Sequence, residues 1–130
     1  MSQPDFILKQ ITELPPLKGI MKLMAQQGGS DLFVSVGSVI KMKINGKQKP
    51  VLNKLMLAAD VEQLLRQEIN DQQFESFRST KELNCALSMT NVGRFRLSAF
   101  FQRNSISFVI RFIPPEIPNT DILGLPKKLE

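Results

Sequence analysis

Four arginines dominate the chemistry available to this chain. Between Leu83 and Pro115 stand Arg94, Arg96, Arg103 and Arg111, with no lysine and no carboxylate among them. A guanidinium is always charged and presents a planar fork of donors, which suits bidentate recognition of phosphate or carboxylate. What the four can do depends on where the backbone holds them. Phe95, Leu97, Ala99 and Phe101 alternate with Arg94, Arg96, Ser98, Phe100 and Gln102. Ile106, Phe108, Ile110 and Phe112 then alternate with Ser107, Val109, Arg111 and Ile113. A period of two marks strands with one buried face, and the short polar break between them predicts an antiparallel hairpin. A turn centred on Arg103 and Asn104 sets Arg96 directly opposite Arg111 on the face away from the core. A register shifted by two leaves them diagonal neighbours. Like charges so placed repel. Either this face awaits an anion or it is a solvated surface that keeps the protein soluble.

Other site chemistries find little support. There is no histidine, which removes the usual general base, the commonest metal ligand and the Ser/His and Cys/His nucleophile systems. Cys85 lies in the alternating run Leu83, Cys85, Leu87, Met89, which predicts a buried structural thiol rather than a nucleophile. A single cysteine forms no internal disulfide and fits a reducing compartment. The seven glycines form neither GxGxxG nor GxxxxGK[ST], and the one Gly-Lys pair, Gly46 and Lys47, is followed by Gln48. These 130 residues are therefore no complete nucleotide hydrolase and carry no catalytic set of their own. Asp60, Glu62, Glu68, Asp71 and Glu75 are scattered over helical segments, with no spacing that gathers a metal site. Phe100 is the one aromatic on the arginine face of the two hairpin strands, too little for base stacking, which argues against a nucleic-acid partner.

The elements that must position the arginines can be read in order. A chain of 130 residues, 42% hydrophobic and 22% charged, makes one domain of ordinary globular composition. Its net charge of +5 permits an anionic partner without demanding one. Residues 1–14 read as a lead-in arm with apolar Phe6, Ile7, Leu8 and Ile11. Pro15 and Pro16 start a helix whose stripe is Leu17, Ile20, Met21 and Met24, ended by Gly28 and Gly29. A strand carrying Leu32, Val34 and Val36 follows. Ile40, Met42 and Ile44 then lead through an Asn45-Gly46 turn to Lys47–Leu52, where Pro50 argues for a sheet edge. Lys41, Lys43, Lys47 and Lys49 read as protection of that edge, with a basic patch as the other reading. Leu57, Val61, Leu64, Leu65 and Ile69 predict a second helix. Asp71 caps a third that carries Phe74 and Phe77, and the strand Leu83–Met89 precedes the arginine hairpin. Helix, three strands, two helices and three strands make an α+β domain around a mainly antiparallel sheet of about six strands. Residues 114–130, with Pro114, Pro115, Pro118 and Pro126, read as a semi-rigid connector. No apolar run is long enough to span a bilayer and MSQPDFILKQ is no signal peptide, so a cytoplasmic location is expected.

An ordered set of residues narrows this further. Ser30, Asp31 and Leu32 are followed by Gly37; Ile44, Asn45 and Gly46 by Phe74 and Glu75. Then come Gly93, Arg94, Phe95 and Arg96; Phe101, Gln102 and Arg103; Arg111; Ile117 and Pro118; and Leu123, Gly124, Leu125 and Pro126. In that order and spacing, from about Leu17 to Leu125, the chain resembles the N-terminal domain of the type IV pilus retraction ATPases, the twitching-motility motors of the secretion-ATPase superfamily. Glu82, Leu83, Asn84, Cys85 and Ala86 resemble the accessory rather than the principal retraction motor.

The resemblance implies a PAS-like domain over residues 15–113, joined by 114–130 to a RecA-like ATPase domain that holds the Walker motifs. It implies ATP and magnesium for the full-length protein and none for these residues alone. It also implies a homo-hexamer in which each N-domain packs on a neighbour's ATPase domain, and contact with inner-membrane pilus machinery without insertion into the membrane. In that superfamily two arginines of an N-domain hairpin reach the nucleotide phosphates, and the matching positions here are Arg96 and Arg111. Arg103 also lies in the motif, with Arg94 the weaker match. Ser38, Val39 and Ile40 depart from a proline-containing turn common in the family, which bears on that loop. The alternative is a free-standing PAS-like sensor or adaptor that binds a small anionic ligand on the same sheet.

Overall fold

The computed structural model describes residues 16–51 and 54–114. The expected arm lies outside these residues, and of the expected connector only Pro114 is described. The elements run α1 (Leu17–Gln27), β1 (Gly29–Ser35), β2 (Lys41–Ile44), β3 (Lys47–Pro50), α2 (Ala58–Arg66), α3 (Asp71–Thr80), β4 (Glu82–Met89), β5 (Gly93–Gln102) and β6 (Ser105–Ile113). This is the expected α+β order. The strands form one open sheet in the order β3-β2-β1-β6-β5-β4, and every neighbouring pair is antiparallel.

One face of the sheet carries the core. Leu32, Val34, Met42, Phe95, Leu97, Ala99, Phe108 and Ile110 are buried there, with α1 against β1, α2 against β6 and α3 against β4. The helices supply Leu17, Ile20, Met21 and Met24, then Val61, Leu64 and Leu65, then Phe74 and Phe77. Each such side chain contributes about 1.5–3 kcal/mol by leaving water, so the alternation in the strands and the stripes on the helices can only be satisfied against one another. The ring of Phe77 stacks on Phe101 with centroids 4.8 Å apart, tying α3 to the arginine strand.

Local chemistry sets the boundaries. Asn45 and Gly46 have φ of 52° and 81°, the pair of positive values that a type I′ turn needs, and β3 is the sheet edge that Pro50 called for. Two helix starts differ from expectation. The N-cap of α3 is Asn70 rather than Asp71: Asn70 Oδ1 accepts from the Gln73 N–H at 2.7 Å while Gln73 Oε1 accepts from the Asn70 N–H at 2.9 Å. An asparagine one residue earlier closes this reciprocal cap, which an N-cap aspartate at 71 would not. Leu57 precedes α2 rather than joining its buried stripe and is 63% exposed, its N–H donating to Asp60 Oδ2 at 3.0 Å. In the loop that lacks the proline turn, Gly37 N–H donates to Met56 O at 2.8 Å and Met56 N–H to Ser38 O at 2.9 Å. Two backbone hydrogen bonds thus fix the segment.

Candidate functional site

The face of the sheet away from the helices is where the arginines stand. The β5–β6 register pairs Arg96 with Arg111, the arrangement that a turn at Arg103 and Asn104 requires, and those two residues have φ of 54° and 66°. The rest of the row comes from strands distant in sequence. Asp31 of β1 lies opposite Arg111, Lys43 of β2 opposite Asp31, and Ala86 of β4 opposite Arg96. Read across the sheet, the row is Lys43, Asp31, Arg111, Arg96, spanning about 14 Å at the usual strand spacing.

The hairpin holds no carboxylate of its own, but the tertiary fold brings one to Arg111. Arg111 Nη2 donates to Asp31 Oδ2 at 3.4 Å, with the Asp31 side chain 14% exposed and that of Arg111 68% exposed. The carboxylate comes from a strand 80 residues away in sequence, out of reach of any local reading. Arg96 has no carboxylate within 4 Å among the described residues. A β-bulge at Ser30 makes Asp31 available. Gly29 pairs with Ile44 and Asp31 with Lys43, so one extra residue separates the core-facing Gly29 from the outward Asp31.

Lys41 and Lys43 stand on this same face of interior strand β2, opposite Phe33 and Asp31, so they extend the basic surface rather than guard an edge; of the four hairpin lysines only Lys47 and Lys49 lie on edge strand β3. Sequence parity could have found them: Asp31 and Phe33 are out of phase with buried Leu32 and Val34. What parity cannot supply is which strands lie side by side.

Arg103 does not join Arg96 and Arg111. It occupies the hairpin tip, about 23–26 Å along the strands from them at 3.3 Å per residue. Arg94 lies two residues from Arg96 on the same face, opposite Ile113 and Ser88. Cys85 is half-buried on edge strand β4 rather than fully buried, because no further strand covers that side. Burial pushes its thiol pKa up, with Glu68 adding to the effect, so it stays protonated and unreactive.

Among the described residues no group of three Cys, Asp or Glu side chains gathers as metal ligands, and no helix is long and apolar enough to cross a membrane. The site offers two adjacent, outward guanidinium groups, one held by a carboxylate and one with no carboxylate partner among the described residues. Such a pair accepts the oxygens of a phosphoryl group, whose charge relieves the repulsion between them.

No protein-family model matches the chain. It is 38% identical over 111 residues to the type IV pilus ATPase PilU of Pseudomonas aeruginosa, covering 85% of this chain and 29% of that protein. The crystal structure of the pilus retraction motor PilT with bound ADP superposes with a TM-score of 0.72 at 28% identity, over 88% of this chain and 33% of that one. The Legionella pneumophila ATPase DotB shares the fold, with a TM-score of 0.71 at 18% identity over 95% of this chain and 36% of that one. The chain thus spans about a third of the length of the proteins it matches.

Proposed function

Since the chain belongs to the PilT/PilU-like secretion ATPases, in which it corresponds to the N-terminal domain, we propose that it is the non-catalytic module of a pilus retraction motor. In this reading residues 15–113 form the module and 114–130 lead to a RecA-like ATPase domain that binds ATP and magnesium. The subunits assemble as a homo-hexamer on the cytoplasmic side of the inner membrane, each module resting on a neighbour's ATPase domain beside the pilus machinery.

The observation that carries the proposal is the direct cross-strand pairing of Arg96 and Arg111 on an exposed face. A nucleotide phosphate seated between them removes a repulsion that the empty sheet must bear, so nucleotide state biases how the module sits on the ATPase domain. Arg111 exchanges Asp31 for phosphate, while Arg96 gains a partner outright. Arg103, at the tip, cannot reach the same phosphate and acts elsewhere. Any magnesium is held by residues of the ATPase domain.

Each charge-assisted contact is worth about 1.5–3 kcal/mol, or roughly ten-fold to a hundred-fold. In the full-length hexamer, Arg96→Ala and Arg111→Ala therefore lower ATP turnover by about that factor while thermal unfolding stays near wild type. Wild-type turnover in both variants would sink the phosphate role. Should they also abolish binding of inorganic phosphate by the 130-residue chain, the sensor or adaptor reading takes its place.

A further inference from the structure

The β5–β6 hairpin tip contains a cavity of about 340 Å³ lined by Ser35, Val36, Gln102, Arg103, Ser105 and Ser107. It lies on the open face of the sheet, four residues along β6 from Arg111 and so about 13 Å away. Ser107 is 4% exposed and lines this cavity from the outward face of β6, directly opposite Ser35 of β1. Arg103 has no carboxylate within 4 Å among the described residues.

The backbone adds an independent argument. Arg103 holds a φ of 54° at the first central position of a tight turn, where asparagine, aspartate or glycine is favoured. Its neighbour Asn104 suits its own φ of 66°. An arginine forced into the left-handed region costs on the order of a kilocalorie per mole. Strain at one side chain that lines a polar cavity points to a use for that side chain.

We propose that this cavity is a second phosphoryl-binding site, distinct from the Arg96–Arg111 pair and independent of the motor assignment. Its donors are the Arg103 fork, three serine hydroxyls and the Gln102 amide. Donors in that number suit a group with three terminal oxygens better than a two-oxygen carboxylate. The absence of any lining carboxylate leaves the anion without a competitor inside the cavity.

The test is a titration of the ¹⁵N-labelled 130-residue chain with inorganic phosphate at constant ionic strength, following the amides of Arg103, Ser105 and Ser107. Saturation with a Kd of about 1–10 mM is expected. Arg103→Asn should abolish it while leaving the hairpin as stable or more so, because asparagine tolerates the turn; Ser107→Ala should weaken it several-fold. Arg96→Gln with Arg111→Gln should leave it intact. A parallel titration with ATP on the Arg96→Gln, Arg111→Gln chain tells a free phosphate from a nucleotide tail: tighter saturation of the Arg103, Ser105 and Ser107 amides by ATP means a nucleotide tail, and equal or weaker saturation means free phosphate. Equal saturation by acetate would overturn the phosphoryl assignment. Unchanged binding in Arg103→Asn, or none in wild type, would overturn the site.

Discussion

Arg111 reaches across the β1–β6 pair to Asp31 at 3.4 Å, while Arg96, its direct neighbour on β5, has no acidic partner among the described residues. The sheet therefore carries one compensated and one uncompensated guanidinium side by side. Such a pair costs stability in the absence of an anion, and that cost is measurable.

Replacing Arg96 by glutamine should stabilise the anion-free chain by about 0.2–1 kcal/mol at low salt, the reverse of most surface substitutions. Asp31→Asn should destabilise it by about 0.5–1 kcal/mol, because Arg111 then faces Arg96 with no carboxylate beside it. Both effects should shrink as salt screens the face. Urea unfolding at two ionic strengths checks them, and a destabilised Arg96→Gln at low salt would show that the two arginines do not repel.

Gly93 sets the start of the arginine strand. Its φ is +142°, and an added Cβ would come within 2.9 Å of Phe112 Cε1. Gly93→Ala is expected to cost about 1–3 kcal/mol by backbone strain and overpacking together. Amide exchange should localise the loss to the β4–β5–β6 meander.

The α3 cap offers a cleaner local test. Asn70→Ala removes the acceptor for the Gln73 N–H and should cost about 1 kcal/mol in chemical unfolding. Asn70→Ser should recover most of it. Asp71→Ala should cost less, since Asp71 provides first-turn charge and an exposed ion pair with Arg66 rather than the cap.

Asp60 predicts a pH dependence. The hydrogen bond from the Leu57 N–H lowers its carboxyl pKa below the usual range; partial burial opposes this, and Lys54 at 3.4 Å adds to it. A folded pKa below the unfolded one means that protonation favours the unfolded chain. The contribution is therefore fully present above the unfolded pKa of about 4 and disappears as pH falls through the folded value. Asp60→Asn should be less stable than wild type at pH 7 by a few tenths to about 1 kcal/mol, with the gap closing below about pH 4. A gap independent of pH would remove the charge from the explanation.

Much of this architecture is legible in local pattern. The period of two in Gly93–Ile113 and the turn preference at Asn104 are enough to make Arg96 and Arg111 direct or diagonal neighbours, because hairpin register follows from parity and loop length; the observed pairing decides for the direct one. The stripe of Leu17, Ile20, Met21 and Met24 likewise announces its helix and its buried side. Local pattern is weaker at helix starts, where Asn70 and Asp71 both suit a cap and only the reciprocal bond with Gln73 decides between them.

What the chain could not reveal by itself is adjacency between elements far apart in sequence. β1 inserts beside β6, and this brings Asp31 to Arg111 and Lys43 into the same row; no local rule specifies that neighbour, because it follows from the whole sheet burying one face under three helices. The same long-range order leaves β4 uncovered and Cys85 half-exposed, and it puts Ser35 of β1 beside Arg103 at the hairpin tip. Residue types and strand parity were determined locally, by the steric alternation of side chains along an extended backbone. Which charges share a face was decided only by tertiary packing, since the hydrophobic gain of closing the core selects strand order with little regard for the charges carried outward.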